Sequence, residues 1–239
     1  MPSEFSGKIV LVAGGTGGLG RAVSLAFLEQ GAQVAVTFRH EAELVSLKDT
    51  AAISANRLTG FSVDVTDPAQ TAGLVKTIVA QWDRLDVLVN TVGGYAGGTP
   101  LWALDVEIFT RMIDLNLRAG FALAKSVVPA MLARKRGAIV NVAAKAAWDH
   151  AAGASAYAAT KAAAVAMLDS LAADLVGTGV RVNSILPSII DTAANRKAMP
   201  NADFAKWPKA EDIAEVVLFL AGDRARVIHG ASVPVFGNG

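Results

Sequence analysis

The chain has 239 residues, 53% hydrophobic and 18% charged, and 22 Lys and Arg against 21 Asp and Glu leave a formal net charge of +1. With no basic run longer than Arg134-Lys135-Arg136, that balance excludes a surface built to track a nucleic-acid backbone. The absence of cysteine excludes a disulfide framework and a thiolate nucleophile, and the three scattered histidines, His40, His150 and His229, make no zinc site.

The apolar run after Lys8 is short and breaks at glycine, so it reads as neither signal peptide nor membrane span; the expectation is a cytoplasmic protein with no membrane partner. Buried strands are predicted, in chain order, at Ile9–Ala13, Val34–Phe38, Leu58–Val63, Val87–Asn90, Ala138–Val142, Val180–Leu186 and Ser232–Phe236, each an apolar run bounded by turn formers. Between them, Leu19–Gln30, Pro68–Trp82, Val106–Ala133, Ser155–Val176 and Ala210–Ala221 are rich in good helix formers. Strand and helix alternate, which predicts an α/β fold: one Rossmann-type, doubly wound parallel sheet of about seven strands with helices on both faces. Such domains commonly run to about 250 residues, so 1–239 reads as a single domain. Pro187–Pro208 is expected to be a long binding loop without regular structure.

The first strand runs into Ala13-Gly14-Gly15-Thr16-Gly17-Gly18-Leu19-Gly20 and then a helix. Five glycines there let the backbone approach a pyrophosphate at the positive end of the helix. Gly15, Gly17 and Gly20 fit the common dinucleotide pattern G-x-G-x-x-G; Gly14, Gly18 and Gly20 fit the looser G-x-x-x-G-x-G, and both stay open at this point. About 20 residues beyond the last glycine, where an acidic side chain would hold the ribose of NAD, stands Arg39. A guanidinium suits a 2′-phosphate, so NADPH is the favoured cofactor and NADH a possible one; the competing reading pairs Arg39 with Glu41 or Glu43.

Tyr157 and Lys161 are four residues apart and share one helix face, where a lysine cation is expected to pull the phenol pKa down from about 10. Taken with the glycine loop, the parallel pattern and the length, this pair resembles the short-chain dehydrogenase/reductase family over nearly the whole chain. The resemblance implies Tyr157, Lys161 and Asn116 as catalytic residues, with Asn116 holding a water beside the lysine. It implies cofactor contacts from Gly14, Thr16, Gly18, Leu19, Gly20, Arg39, Asp64, Val65, Asn90, Gly93, Pro187, Ile189 and Thr192, besides Tyr157 and Lys161, and a homodimer or homotetramer packed through Val106–Ala133 and Ser155–Val176. One departure is large: the family serine, thirteen residues before the tyrosine, is Ala144 here.

A narrower resemblance, to the quinonoid dihydropteridine reductases, rests on Gly93–Gly98, on Ala144–Asp149 and on the stretch from Leu186 through Asp191-Thr192, Asn195-Arg196-Lys197 and Met199-Pro200 to Trp207. In that branch alanine also stands in place of the serine. It implies a small, flat, conjugated substrate lined by Tyr95, Ala144 and Trp148, with Tyr95 stacking on it. Arg39 and Asn116 depart from the animal enzymes, which carry an acidic residue after the second strand and lack the asparagine. The alternatives are a carbonyl or 3-oxoacyl reductase, for which Asn116 argues and Ala144 does not, and a cofactor-binding sensor with little turnover, which the retained Tyr157 and Lys161 oppose.

Overall fold

Seven parallel strands form the sheet in the order β3-β2-β1-β4-β5-β6-β7. They are β1 (Ile9–Ala13), β2 (Gln33–Phe38), β3 (Leu58–Ser62), β4 (Val87–Asn90), β5 (Gly137–Val142), β6 (Val180–Pro187) and β7 (Ser232–Val235). The computed structural model describes residues 3–237, so the four terminal residues of the predicted domain lie outside it. Every residue of β1, β4 and β5 is buried, which is why β1 reads as an unbroken apolar run and β4 and β5 as apolar runs broken only by Asn90 and Asn141. Side-chain alternation sends Val10, Val12, Val34 and Val36 to one face, against helices α1 (Gly18–Glu29) and α8 (Ala210–Ala221). It sends Ile9, Leu11, Leu88 and Ile139 to the other, against α3 (Pro68–Trp82), α5 (Ala119–Ala133) and α6 (Ser155–Asp174).

The expected architecture is met, and most element ends fall within a residue or two of those predicted. Helix α2 (Glu41–Ala51) was not among the predicted segments because it buries only Leu44 and Leu47, too few for an apolar stripe. The single helix predicted over Val106–Ala133 is interrupted: α4 (Val106–Ile113) passes through a wider π-type turn, Asp114–Arg118, before α5 begins. Such turns insert an extra residue into the helical repeat and redirect a side chain, here turning Asn116 inward. Pro187–Pro208 carries more order than expected. Thr192 caps α7 (Ala193–Ala198) by accepting from the Asn195 N–H at 3.2 Å, and Arg196 holds Asp191 through two hydrogen bonds of 2.6 and 2.7 Å.

The chain winds outward from β1 to β3 and then returns to lay β4 on the other side of β1. The connections after β1 and β4 therefore diverge at the carboxyl edge of the sheet and open a crevice between them, the usual ligand position of a doubly wound fold.

Candidate active site

The glycine loop leaves β1 along one wall of this crevice. Gly14 has φ +74°, and its N–H donates to Thr37 Oγ1 at 2.8 Å. A Cβ on Gly20 would overlap the Gly14 carbonyl oxygen, one on Gly18 would come within 2.9 Å of the Thr192 methyl, and one on Gly15 would sit 2.5 Å from Val36. At Gly17 a Cβ would make an ordinary 3.4 Å contact. Crowding thus falls on all three glycines of the G-x-x-x-G-x-G pattern and spares the middle one of G-x-G-x-x-G. Gly17 caps α1 without a side-chain bond, so the N–H groups of Gly18, Leu19 and Gly20 open the helix with no partner inside it. Free donors, a positive helix end and no side chains in the way fit a pyrophosphate. The Leu19 side chain turns into the core.

Along the crevice Thr16, Arg39, His40, Glu43, Asp64, Val65 and Gly93 line a cavity of about 640 Å³, within the range of small-molecule sites. Arg39 is exposed, and no ion pair joins it to Glu41 or Glu43 among the described residues. Glu43 instead accepts from Thr16 Oγ1 at 2.8 Å. Asp64 accepts from the N–H and hydroxyl of Thr66 at 2.9 and 2.7 Å, while Val65 is buried beneath it. Asn90 is spent inside the sheet: its Nδ2 donates to Asn141 Oδ1 at 3.0 Å and its Oδ1 accepts from the Val92 N–H.

Across the crevice, α6 carries Tyr157 and Lys161. Lys161 is fully buried, its Nζ donates to the Val142 carbonyl at 3.1 Å, and burial pulls its pKa down to about 8. A Cβ on Gly93 would lie 3.0 Å from that Nζ, so only glycine leaves room beside the ammonium. Tyr157 corrects an expectation. Burial, aided by Tyr95, pushes its pKa up to about 12, with no offsetting pull from Lys161. The phenol is therefore held protonated. Tyr95 packs edge-on against it with ring centroids 5.0 Å apart, itself 67% exposed. A Cβ on Gly97 would strike the Tyr95 hydroxyl, so the small residues of Gly93–Gly98 let this ring fold back over its own loop.

The carboxamide of Asn116 is fully engaged. Its Oδ1 accepts from the Gly94 N–H at 2.9 Å; its Nδ2 donates to the Gly94 carbonyl at 3.0 Å and to Thr160 Oγ1 at 3.2 Å. Asn116 thus ties the loop bearing Tyr95 to the helix bearing Tyr157. Ala144 is buried at the end of β5 and offers no hydroxyl; Trp148, four residues on, is half exposed. Pro187 ends β6, Ile189 follows it exposed, and the methyl of Thr192 closes over Gly18. Sequence reasoning missed Thr37, Thr91 and Thr160, and it offered Glu43 as a partner of Arg39 where the structure gives it Thr16. Thr91 Oγ1 donates to the Ala13 carbonyl at 2.7 Å, pinning the glycine loop to β4, a contact between residues 78 apart that no local pattern announces.

The likenesses to known proteins agree with this geometry. A model of the short chain dehydrogenase family matches residues 8–203. The chain is 30% identical over 242 residues to the 3-oxoacyl-[acyl-carrier-protein] reductase FabG of Thermotoga maritima, covering 98% of each. It is 34% identical over 223 residues to the NADP-dependent 3-hydroxy acid dehydrogenase YdfG of Salmonella typhi, covering 89% of this chain and 88% of that one. Among solved structures, ElxO with NADP bound superposes with a TM-score of 0.89 at 26% identity, over 96% of this chain and 97% of that one. None of these three names a pterin. A match of that extent, on a chain whose glycine loop leaves free donors at the crevice, makes this protein a member of the short-chain dehydrogenase family, an NAD(P)-dependent oxidoreductase.

Proposed function

We propose that the protein reduces a flat, conjugated acceptor of the dihydropteridine kind, with NADPH as the favoured cofactor. Two features carry this reading: alanine at position 144, where a carbonyl reductase of this family presents a hydroxyl, and the exposed Tyr95 ring with its centroid 5.0 Å from that of Tyr157. Reduction of a ketone concentrates negative charge on one oxygen, and losing a positioned donor to such an oxygen costs about 10²–10³ in rate. A conjugated imine spreads that charge over its ring system and leans less on a single donor. Tyr95 supplies an aromatic face for a planar ring, and Trp148 stands at the mouth.

The cofactor, when bound, supplies the hydride. The chain's own residues do the rest. The α1 amides would hold the pyrophosphate, and Arg39, which lines the same cavity, would meet the 2′-phosphate. Lys161, beside Gly93, would donate to the nicotinamide ribose. Tyr157, protonated at neutral pH, would give its proton to the reduced ring nitrogen and take another from solvent. Asn116 keeps the Tyr95 loop in register with α6. Copies of the chain pair through α4 and α5, where Val106, Phe109, Phe121 and Leu132 stand exposed; sedimentation as a monomer at micromolar concentration would oppose that pairing.

The test is NADPH oxidation at 340 nm with a freshly generated quinonoid dihydropterin, beside NADH and beside Tyr157→Phe. Turnover faster with NADPH and lowered about 10²–10⁴-fold in the variant is expected, since that is the usual contribution of a positioned acid. Saturable NADPH binding with no turnover would overturn the substrate assignment.

A further inference from the structure

The adenine end of the crevice holds one arginine but also a carboxylate in contact with the glycine loop. Glu43 sits in the first turn of α2, and its Oε2 accepts from Thr16 Oγ1 at 2.8 Å, closing the gap between helix and loop. Both residues line the cavity that Arg39 and His40 also line. The helix that carries Glu43 is tied to α1. Arg21 of α1 donates to the Ser46 carbonyl at 3.1 Å and to Thr50 Oγ1, and positions 43, 46 and 50 lie on one face of α2, which therefore looks at the loop. Glu41, two residues earlier, projects from a different face and does not line the cavity.

We propose that Glu43 is a specificity-determining residue of the cofactor crevice, one that restrains the preference for a 2′-phosphorylated dinucleotide and lets NADH compete. This rests on the reading that Arg39 marks the ribose position. A 2′-phosphate placed against Arg39 brings a charge near −2 toward the Glu43 carboxylate and competes with it for the Thr16 hydroxyl. A ribose 2′-hydroxyl makes no such conflict, because it can donate to the same carboxylate. Asp64, the other carboxylate of the cavity, is engaged by Thr66. Glu43 is thus the acidic group whose one side-chain partner belongs to the glycine loop.

The test is calorimetric titration of NADPH and NADH, without substrate, into the wild-type chain, Glu43→Gln, Glu41→Gln and Arg39→Ser, each at low salt and at 0.5 M salt. Glu43→Gln is expected to tighten NADPH about tenfold, which is about 1.4 kcal/mol, and to leave NADH unchanged or weakened by no more than about twofold. The gain should shrink at high salt because exposed charges are screened there, and Glu41→Gln should give less than a third of it. Equal gains from Glu41→Gln and Glu43→Gln, or none from Glu43→Gln, would overturn the role of Glu43. Arg39→Ser keeps the two ideas apart. If it weakens NADPH alone while Glu43→Gln does nothing, the ribose reading stands and the Glu43 inference falls. If it leaves the NADPH-to-NADH ratio unchanged, the ribose reading itself falls.

Discussion

The two ends of the crevice are built from different materials. At the glycine loop the binding surface is main chain: the unpartnered N–H groups of Gly18, Leu19 and Gly20, with every Cβ that would obstruct them left out. Around Tyr157 the surface is side chain: two tyrosines in edge contact, a buried lysine, an asparagine holding two elements together. A backbone cradle tolerates almost no substitution yet says little about what reacts. A side-chain wall tolerates exchange, and each exchange retunes the chemistry. That division explains how one cofactor site can accompany relatives named for different substrates.

Breaking the comparison at Lys161 should give the largest energetic signal. Its pKa is near 8 folded and about 10.5 unfolded. Below pH 8 both states carry the charge and the folded state bears the cost of burying it. Between pH 8 and 10.5 the unfolded chain still binds the proton that the folded chain has released, so stability rises with pH, by about 3 kcal/mol in all. Tyr157, raised to about 12, acts in the opposite sense, but only above pH 10. Urea unfolding from pH 7.5 to 10 should therefore show a rise in the wild-type chain that Lys161→Met abolishes.

At the backbone end, Gly20→Ala should destabilise the fold by about 1–3 kcal/mol through overpacking against the Gly14 carbonyl. NADPH affinity should fall by about ten- to a hundredfold, corresponding to that same energy. Gly17→Ala, with a 3.4 Å contact and a φ of −73°, should change neither by more than about threefold. Thermal denaturation and fluorescence titration read both. A smaller loss than that of Gly20→Ala is expected from the aromatic wall. Tyr95→Ala should raise KM for the flat acceptor about three- to tenfold, the worth of one aromatic contact, while Tyr95→Phe restores it and NADPH binding stays as it was.

The backbone end was largely legible in the sequence because its signal is local: a strand, a run of glycines and a helix follow one another in ten residues. What the pattern did not announce is the packing at Gly15, where a Cβ would sit 2.5 Å from Val36. The strands were legible for the same reason, since burial on both faces leaves Ile9–Ala13 with no polar position. The side-chain end was legible in its residues but not in their relations. Tyr157 and Lys161 were found by spacing, yet spacing cannot show how deeply each is buried, nor that the ammonium donates to the Val142 carbonyl 19 residues away. Asn116 was found by resemblance, but the π-type turn that points it at Gly94 and Thr160 has no composition that separates Asp114–Arg118 from an ordinary helix. Glu43 was read as a candidate partner of Arg39, its near neighbour in sequence, because its actual partner, Thr16, lies 27 residues back in another element.

The most direct test of the substrate reading is the pair of kcat/KM values, with NADPH, for a quinonoid dihydropterin and for a 3-oxoacyl thioester, measured in the wild-type chain and in Ala144→Ser. A wall tuned for a conjugated ring predicts that the wild type favours the dihydropterin. Ala144→Ser should then raise thioester reduction by about ten- to a hundredfold, a large part of what a positioned donor is worth, and leave dihydropterin reduction nearly unchanged. Efficient thioester reduction by the wild type without dihydropterin turnover would contradict it, and would show that the hydroxyl missing at position 144 is not what selects the substrate.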